Sequence, residues 1–270
     1  MNVLKEFANH LAWKRSEEVP AIRRALEEAC HWSEKVETLR EKVKVSRTSW
    51  LTVVPDEPLN RSYDPPPDPN QYVVIATDGS QVLPDRTEAP PFYLINIGHA
   101  VLSYGTGDPP HLTSHPYLFV KDEDLSRVWS LTEVPLNWET VSLRRQLSEW
   151  TALKDLAEAV SRRPALALID GSLILWNLEG KPPDVRNAHL SASLNLLDQL
   201  RQLGVPVAGF ISSPASKDII NTLRVAICPY DRPDCDRCEW LLTRQVPPCA
   251  VIEGMDDAAY VHLWVARFRC

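Results

Sequence analysis

The sequence predicts an α/β fold in which a mixed β-sheet is flanked by helices and preceded by a helical arm. Two observations lead to this prediction. Two runs of apolar and β-branched residues, 73–77 and 165–169, each end in Asp-Gly-Ser, as buried strands that stop at a turn do. Between and after these runs, apolar residues recur at helical spacing and alternate with further strand-like segments. This order of elements fits a mixed sheet with helices on its faces.

The helical arm is predicted over residues 1–54. Apolar residues recur at helical spacing over residues 3–45, among many charged residues, and Pro20 is the main helix breaker. A stretch rich in Pro and Asp follows at residues 55–70 and indicates an extended linker. The remaining residues, 71–270, form the main domain of this division. The arm either pairs with another helix or packs on its own domain.

The main domain is predicted to alternate strands and helices. The predicted elements are strands 72–77, 92–104 and 117–120, helix 138–162, strand 165–170, helix 187–203, strand 205–211 and helix 215–226. Near the C-terminus, Tyr260–Ala266 has the composition of a strand.

The composition bounds the class of protein. The 270 residues are 44% hydrophobic and 24% charged, which is enough apolar content to bury a full core. No apolar run reaches the roughly 18 residues expected of a membrane span, and the N-terminus lacks the apolar core of a signal peptide. We therefore expect a cytoplasmic protein without a membrane partner. The formal net charge of −7 disfavours nonspecific electrostatic binding to nucleic acid, unless a local basic patch or a partner protein supplies the positive charge.

Two aspartates form the first candidate site. Asp78 and Asp170 each follow an apolar strand and precede a Gly-Ser turn. If the two strands lie side by side, their carboxylates meet at the carboxyl edge of the sheet, where α/β folds bind ligands. Two negative charges so near each other repel unless a cation lies between them. The pair therefore predicts a divalent-metal site. The alternative is that each motif is only a strand-ending turn.

Two further features, an Arg-Glu pair and a lysine, carry weaker signals. Arg145 and Glu149 lie one turn apart on the helix between the two strands, where their side chains can interact. Lys217 lies near the start of helix 215–226, where the helix dipole disfavours a cation unless a phosphate or a carboxylate offsets it. Glu149 and Lys217 also fit ordinary solvent-exposed positions.

Four cysteines form a second candidate site, in a Cys-rich loop at residues 228–249. Cys235 and Cys238 make a CxxC motif, which Cys228 and Cys249 flank in a proline-rich segment. Four thiols in a loop that lacks its own core fit a structural Zn²⁺ site. The spacing matches no standard iron–sulfur pattern, and free reduced thiols remain the alternative.

Taken in order, these motifs resemble the NurA nuclease family. The resemblance covers about residues 70 to 226. It rests on the helical arm, the strand ending at Asp78, the Arg-x-x-x-Glu helix, the Ile-Asp-Gly-Ser-Leu strand around Asp170 and the Ser-Lys pair at Lys217. It implies an RNase H-like fold and cleavage of DNA with Mn²⁺, or with Mg²⁺. It also implies a homodimer that works with a hexameric HerA-like translocase in DNA end processing and double-strand break repair. By this resemblance, Asp78, Glu149 and Asp170 are catalytic metal ligands, and Lys217 is a catalytic phosphate-side or charge-balancing group.

The resemblance does not extend to the family's C-terminal motif. That motif has a Gly-Tyr-Pro-like segment and a later histidine, whereas His262 stands in a different context and the sequence ends at Cys270. We therefore expect a C-terminally short member, which is either an active nuclease or a non-catalytic assembly subunit. A phosphotransferase of the actin or sugar-kinase type is a further alternative. Those folds need more glycine-rich phosphate loops than nine glycines readily supply.

Overall fold

The computed structural model describes residues 20–83 except 22, 92–120, 137–160, 164–212 and 214–267. Its contacts divide the chain into two compact units. One combines Met1–Pro65 with Ser213–Cys270, and we call it the terminal unit; the other, Pro66–Ser212, is the sheet unit. This division differs from the predicted one because it groups residues 213–270 with the N-terminal helices.

Helices and strands alternate along much of the chain. The helices are α1 (23–33), α2 (Val36–Val45), α3 (Trp138–Ala159), α4 (Pro183–Gln202), α5 (Asp218–Ile227), α6 (Glu239–Leu242) and α7 (Asp257–Arg267). The strands are β1 (Tyr72–Val82), β2 (Tyr93–Tyr104), β3 (His111–Phe119), β4 (Ala165–Asp170) and β5 (Val207–Phe210). Short 3₁₀ turns lie at Trp176–Leu178 and Pro248–Ile252.

The sheet unit contains a five-stranded mixed sheet in the order β3-β2-β1-β4-β5. The first three strands pair antiparallel, whereas β4 is parallel to β1 and β5 is parallel to β4. The predicted mixed sheet is therefore confirmed. β3 begins at His111, six residues before the predicted start, because most of its side chains are exposed and no apolar alternation marks it in the sequence.

Helices α3 and α4 cover one face of the sheet. Side chains alternate along β1, so that Val73 and Ile75 face these helices and are almost fully buried. Trp150 of α3 and Leu200 of α4 lie in the same apolar cluster. A capping box at Asn137 fixes the start of α3 at Trp138, the residue at which the helix is predicted to begin. This packing holds β1 and β4 side by side and positions their carboxyl ends.

The terminal unit joins the two ends of the chain. Leu26 of α1 packs in one apolar cluster with Leu223 of α5 and Tyr260 of α7. The predicted arm over residues 3–45 forms the two helices α1 and α2, which a turn at Glu34 and Lys35 separates, and residues 3–19 lie outside the described part of the chain.

The predicted strand at Tyr260–Ala266 is wrong, because this segment is part of helix α7. Asp256 Oδ1 accepts a hydrogen bond from Ala259 N at 2.7 Å, which satisfies a backbone donor at the start of the helix. The apolar run has the composition of a strand because β-branched and aromatic residues favour strands. In the helix Tyr260 is buried, and this burial stabilises the helical form. Among the described residues, no helix combines the length and the apolar character that a bilayer-spanning segment needs.

Candidate active site

Asp78 and Asp170 lie on neighbouring strands at the same edge of the sheet. The parallel pairing of β1 and β4 runs to Thr77 and Ile169, and the two aspartates are the next residues along each strand. Both side chains are exposed, and both line one cavity of about 380 Å³. Because neighbouring strands lie roughly 4.8 Å apart, the structure brings these two carboxylates together. Their role as metal ligands stays a prediction.

Strand β1 does not end at its aspartate. Its antiparallel pairing continues from Asp78 to Val82, because β2 supplies backbone partners over that stretch. Only the parallel neighbour β4 ends at its aspartate, Asp170, after which Gly171 turns the chain with a φ of 91° that favours glycine. Asp78 Oδ1 accepts a hydrogen bond from Gly79 N at 2.8 Å, which orients the carboxylate at the cavity.

Glu149 approaches the same segment of β1 from helix α3. Its backbone oxygen accepts a hydrogen bond from Thr77 Oγ1 at 2.8 Å, and its buried carboxylate forms an ion pair with Arg145. Arg145 Nη1 also donates to Gly79 O at 2.8 Å. A Cβ atom on Gly79 would lie 2.5 Å from Glu149 Oε1, so any larger residue here would displace the Glu149 carboxylate. The Arg145–Glu149 interaction expected from helical spacing is thus present, and it is fixed against the strand.

The environment of Glu149 favours its neutral form. Burial raises the pKa of Glu149 to about 7, because desolvation of the carboxylate outweighs the attraction of Arg145. The negative charge of Asp78 contributes to this rise of the pKa. Asp78 and Glu149 therefore lie within electrostatic reach of each other.

The donors at this edge of the sheet fit a hard divalent cation. Across the described ranges, no group of three or more His, Cys, Asp or Glu side chains is arranged to hold a metal ion. Mg²⁺, however, is commonly bound by one or two carboxylates together with waters and substrate phosphates. Asp78 and Asp170 offer such a pair on one cavity. Glu149, which Arg145 engages, is not among the residues that line this cavity, and it contacts β1 at Thr77.

Lys217 belongs to the terminal unit, directly before α5. Its Nζ donates a hydrogen bond to Glu253 O at 3.0 Å. Its predicted role beside a phosphate stays a prediction.

The four loop cysteines also lie in the terminal unit. Cys228, Cys235, Cys238 and Cys249 are free thiols that line one small cavity. Burial, together with the nearby Cys249 and Cys228, raises the pKa of Cys235 to about 11. Burial likewise raises the pKa of Cys249.

Three residues that line the cavity beside the aspartates carry no signal in the sequence. They are His99 of β2, Thr113 of β3 and Phe210 of β5. Strand register alone brings them there, since His99 pairs with Thr77 and also with Thr113. A register between distant strands cannot be read from any one of the segments.

A family model for the NurA domain matches residues 72–267 of this chain. The chain therefore belongs to the NurA family, and its predicted resemblance to that family is confirmed. Together with the order of strands in the sheet, this match confirms the predicted RNase H-like fold.

Several solved structures are similar to the chain at low identity. The NurA nuclease from Sulfolobus solfataricus is 12% identical over 79% of this chain and 66% of its own, with a TM-score of 0.35. A NurA structure with manganese is 12% identical over 58% of this chain and 38% of its own, with a TM-score of 0.27. LC9-RNase H1, a type 1 RNase H with the type 2 active-site motif, is 12% identical over 58% of this chain and 71% of its own, with a TM-score of 0.28.

The chain spans less than two thirds of the length of both NurA structures. No curated protein matched it. Likenesses at these TM-scores carry no argument about activity, so the family match and the geometry of the site are what support a function.

Proposed function

We propose that this chain is a divalent-metal-dependent nuclease that hydrolyses phosphodiester bonds in DNA. One observation carries the proposal: Asp78 and Asp170, in a chain of the NurA family, follow paired positions on parallel strands and line one cavity. Family membership supports the nuclease class. The carboxylate pair supports the dependence on a metal, because two close carboxylates are stabilised by a cation between them.

In this proposal, Asp78 and Asp170 hold Mn²⁺ or Mg²⁺, and Glu149 is the third ligand. The bound ion would activate water and offset the negative charge that develops on the phosphoryl oxygens. The Gly79 amide orients the carboxylate of Asp78. Arg145 holds Glu149 against β1, and its positive charge favours the carboxylate form that a ligand must have.

We further propose a cytoplasmic homodimer that receives DNA from a HerA-like hexameric translocase during DNA end processing and double-strand break repair. The net charge of −7 supports a delivering partner, because an acidic protein gains little from general attraction to phosphates. Tight binding of DNA by the purified protein alone at physiological salt would contradict this part of the proposal.

The test is cleavage of end-labelled single- and double-stranded DNA in the presence of Mn²⁺. We expect the parent chain to cleave, and Asp78→Asn and Asp170→Asn to fall to the background of a reaction without enzyme. Each substitution keeps the size of the side chain but removes the charge that binds the cation. Lys217→Ala, measured alongside, tests the predicted charge-balancing role.

A matched control is Asp198→Asn, which removes a solvent-facing carboxylate of α4 that pairs with Arg201 at 2.7 Å. We expect this variant to cleave like the parent, since exposed ion pairs contribute about 0–1 kcal/mol to stability. Absence of cleavage by well-folded parent protein, even with a HerA-like partner added, would overturn the proposal. That outcome would favour the non-catalytic assembly subunit.

A further inference from the structure

We propose that the Cys-rich loop is a structural metal site in which Cys228, Cys235, Cys238 and Cys249 together bind one Zn²⁺ ion. The proposal does not depend on the nuclease activity of the chain. It rests on how the terminal unit places the four thiols, on the lack of other support for the loop, and on the polar groups around the cavity.

The fold brings the four thiols to one small cavity, although Cys228 and Cys249 lie 21 positions apart in the chain. The volume of this cavity is about 30 Å³. This space is large enough to admit a small ion or a water molecule between the thiols. Four cysteines around one ion are the usual ligand set of a structural zinc site.

The loop has little other support between α5 and α7. Its regular structure is the short helix α6, which buries no side chain, and the 3₁₀ turn Pro248–Ile252, in which Ile252 packs into the apolar cluster of the terminal unit. Two backbone hydrogen bonds of 2.8 Å, from Arg47 N to Pro233 O and from Cys235 N to Arg47 O, attach it to the segment after α2. A segment with so few buried apolar side chains gains stability from metal ligation, as small loop-rich folds do.

Two buried donors at the cavity lack acceptors. Arg224 Nε and Trp240 Nε1 are buried without a hydrogen-bond partner in the part of the chain that the structure describes. Both residues line the cavity together with the four thiols. A buried donor left unpaired costs about 1–3 kcal/mol. Metal-bound thiolates carry more negative charge than thiols, and would supply the acceptors that these two N–H groups need.

Basic side chains are placed to offset the charge of the site. Four thiolates around Zn²⁺ carry a net charge of −2. Lys42 Nζ donates to Cys228 O at 2.6 Å and to Ala226 O at 3.2 Å, and the charge of Arg224 acts on Cys249. The carboxylate of Asp234, which also lines the cavity, is engaged as an acceptor for Arg237 N at 3.1 Å.

Zinc binding requires a local rearrangement of the side chains. The thiols line the cavity wall, and within the described residues they do not form a closed metal-holding group. Rotation of the cysteine side chains toward the centre of the cavity would complete the tetrahedron. Each thiol that forms an S–Zn bond releases its proton to the solvent.

The test is the metal content of the purified full chain, produced in medium supplemented with zinc. Inductively coupled plasma mass spectrometry measures this content. We expect one zinc ion per chain. Cys235→Ser and Cys238→Ser each remove one ligand, and we expect their zinc content to fall well below one per chain. Asp236→Asn, an exposed position between these two cysteines, is the matched control and keeps the zinc.

A second measurement keeps the proposal testable if a cysteine variant fails to fold. Co²⁺ exchanged into the parent chain is expected to give the intense visible bands of a tetrahedral ion with thiolate ligands. Folded parent protein that takes up neither zinc nor cobalt, and whose four thiols all react with a thiol reagent as in the unfolded chain, would overturn the proposal. Stoichiometric iron in place of zinc would overturn the assignment of the ion.

Discussion

At the scale of single residues, a glycine allows a helix carboxylate to reach the strand that carries Asp78. A Cβ atom added to Gly79 would lie 2.5 Å from Glu149 Oε1 and 2.9 Å from Arg145 Cγ. Both distances are below van der Waals contact, and the two residues form the ion pair that holds Glu149 beside β1. The second residue of the first Asp-Gly-Ser motif therefore has a packing role besides any role in a turn.

This close approach predicts the effect of Gly79→Ala. The added methyl group must push Arg145 and Glu149 away from β1, and overpacking of this kind costs about 1–3 kcal/mol of unfolding free energy. Urea denaturation of the parent and the variant measures the difference. Gly98→Ala on the neighbouring strand is the control, because its Cβ would lie 3.4 Å from Asp78 O, in ordinary contact. Equal losses in the two variants would contradict the prediction.

The sequence could predict the carboxylate pair because the same motif occurs twice after apolar strands. It could not predict the environment of Glu149, since the depth at which α3 packs determines burial. Nor could it predict that β1 continues to Val82, because the backbone partners for that extension come from β2. Local patterns identify the candidate residues, whereas their surroundings depend on tertiary packing.

At the scale of elements, α3 and α4 are joined by a buried polar contact. His189 of α4 is fully buried, and its Nε2 lies 2.9 Å from Gln146 Oε1 on α3. The same oxygen accepts a hydrogen bond from Asn177 Nδ2 at 3.0 Å. Because a Gln oxygen only accepts, Nε2 carries the proton in the neutral ring. Burial lowers the pKa of His189 to about 4.

This shift predicts a loss of stability in acid. The unfolded chain binds the His189 proton near pH 6.5, whereas the folded chain binds it only near pH 4. Stability is therefore fully present above about pH 6.5 and falls as the pH drops toward 4, by up to roughly 3 kcal/mol. Urea midpoints measured at pH 7 and pH 4.5 test this. In His189→Gln, which cannot titrate there, the drop should be smaller, and an equal drop would exclude His189 as its source.

Predicted element boundaries agree best with the structure where an apolar pattern coincides with burial. The strand at residues 165–170 is found as predicted, and α3 begins at the predicted residue 138. The predicted start of β3 is too late because its exposed side chains leave no pattern. The segment of α7 has the composition of a strand because residue preferences there oppose the packing that forms the helix.

At the scale of the whole molecule, the terminal unit depends on contacts between the two ends of the chain. Leu26 lies in one apolar cluster with Ile220 and Leu223. Thr222 Oγ1 donates a hydrogen bond to Val53 O at 2.9 Å, and Asn221 Nδ2 donates to Leu51 O at 2.9 Å. Such contacts between distant segments leave no local signal, so the sequence could not predict this unit.

The shared core predicts that a change in α1 loosens α5. Leu26→Ala removes a side chain that is 2% exposed and should cost about 2–5 kcal/mol of unfolding free energy. Amide hydrogen exchange should then quicken over Asp218–Ile227. Val45→Ala, at a side chain of α2 that is 46% exposed, is the control and should leave this exchange unchanged. Unaltered exchange of α5 in Leu26→Ala would contradict the prediction.

The hydrogen bond from Lys42 to Ala226 spans 184 positions of the chain, and this separation has a consequence for synthesis on the ribosome. Translation adds roughly 5–20 residues per second, so α2 leaves the ribosome about 10–40 seconds before its partner in α5 is made. The sheet unit is one continuous segment and can complete its core during that interval. The apolar faces of α1 and α2 stay uncovered meanwhile, so we expect nascent chains that stall before α5 to be the form of this protein most prone to aggregation.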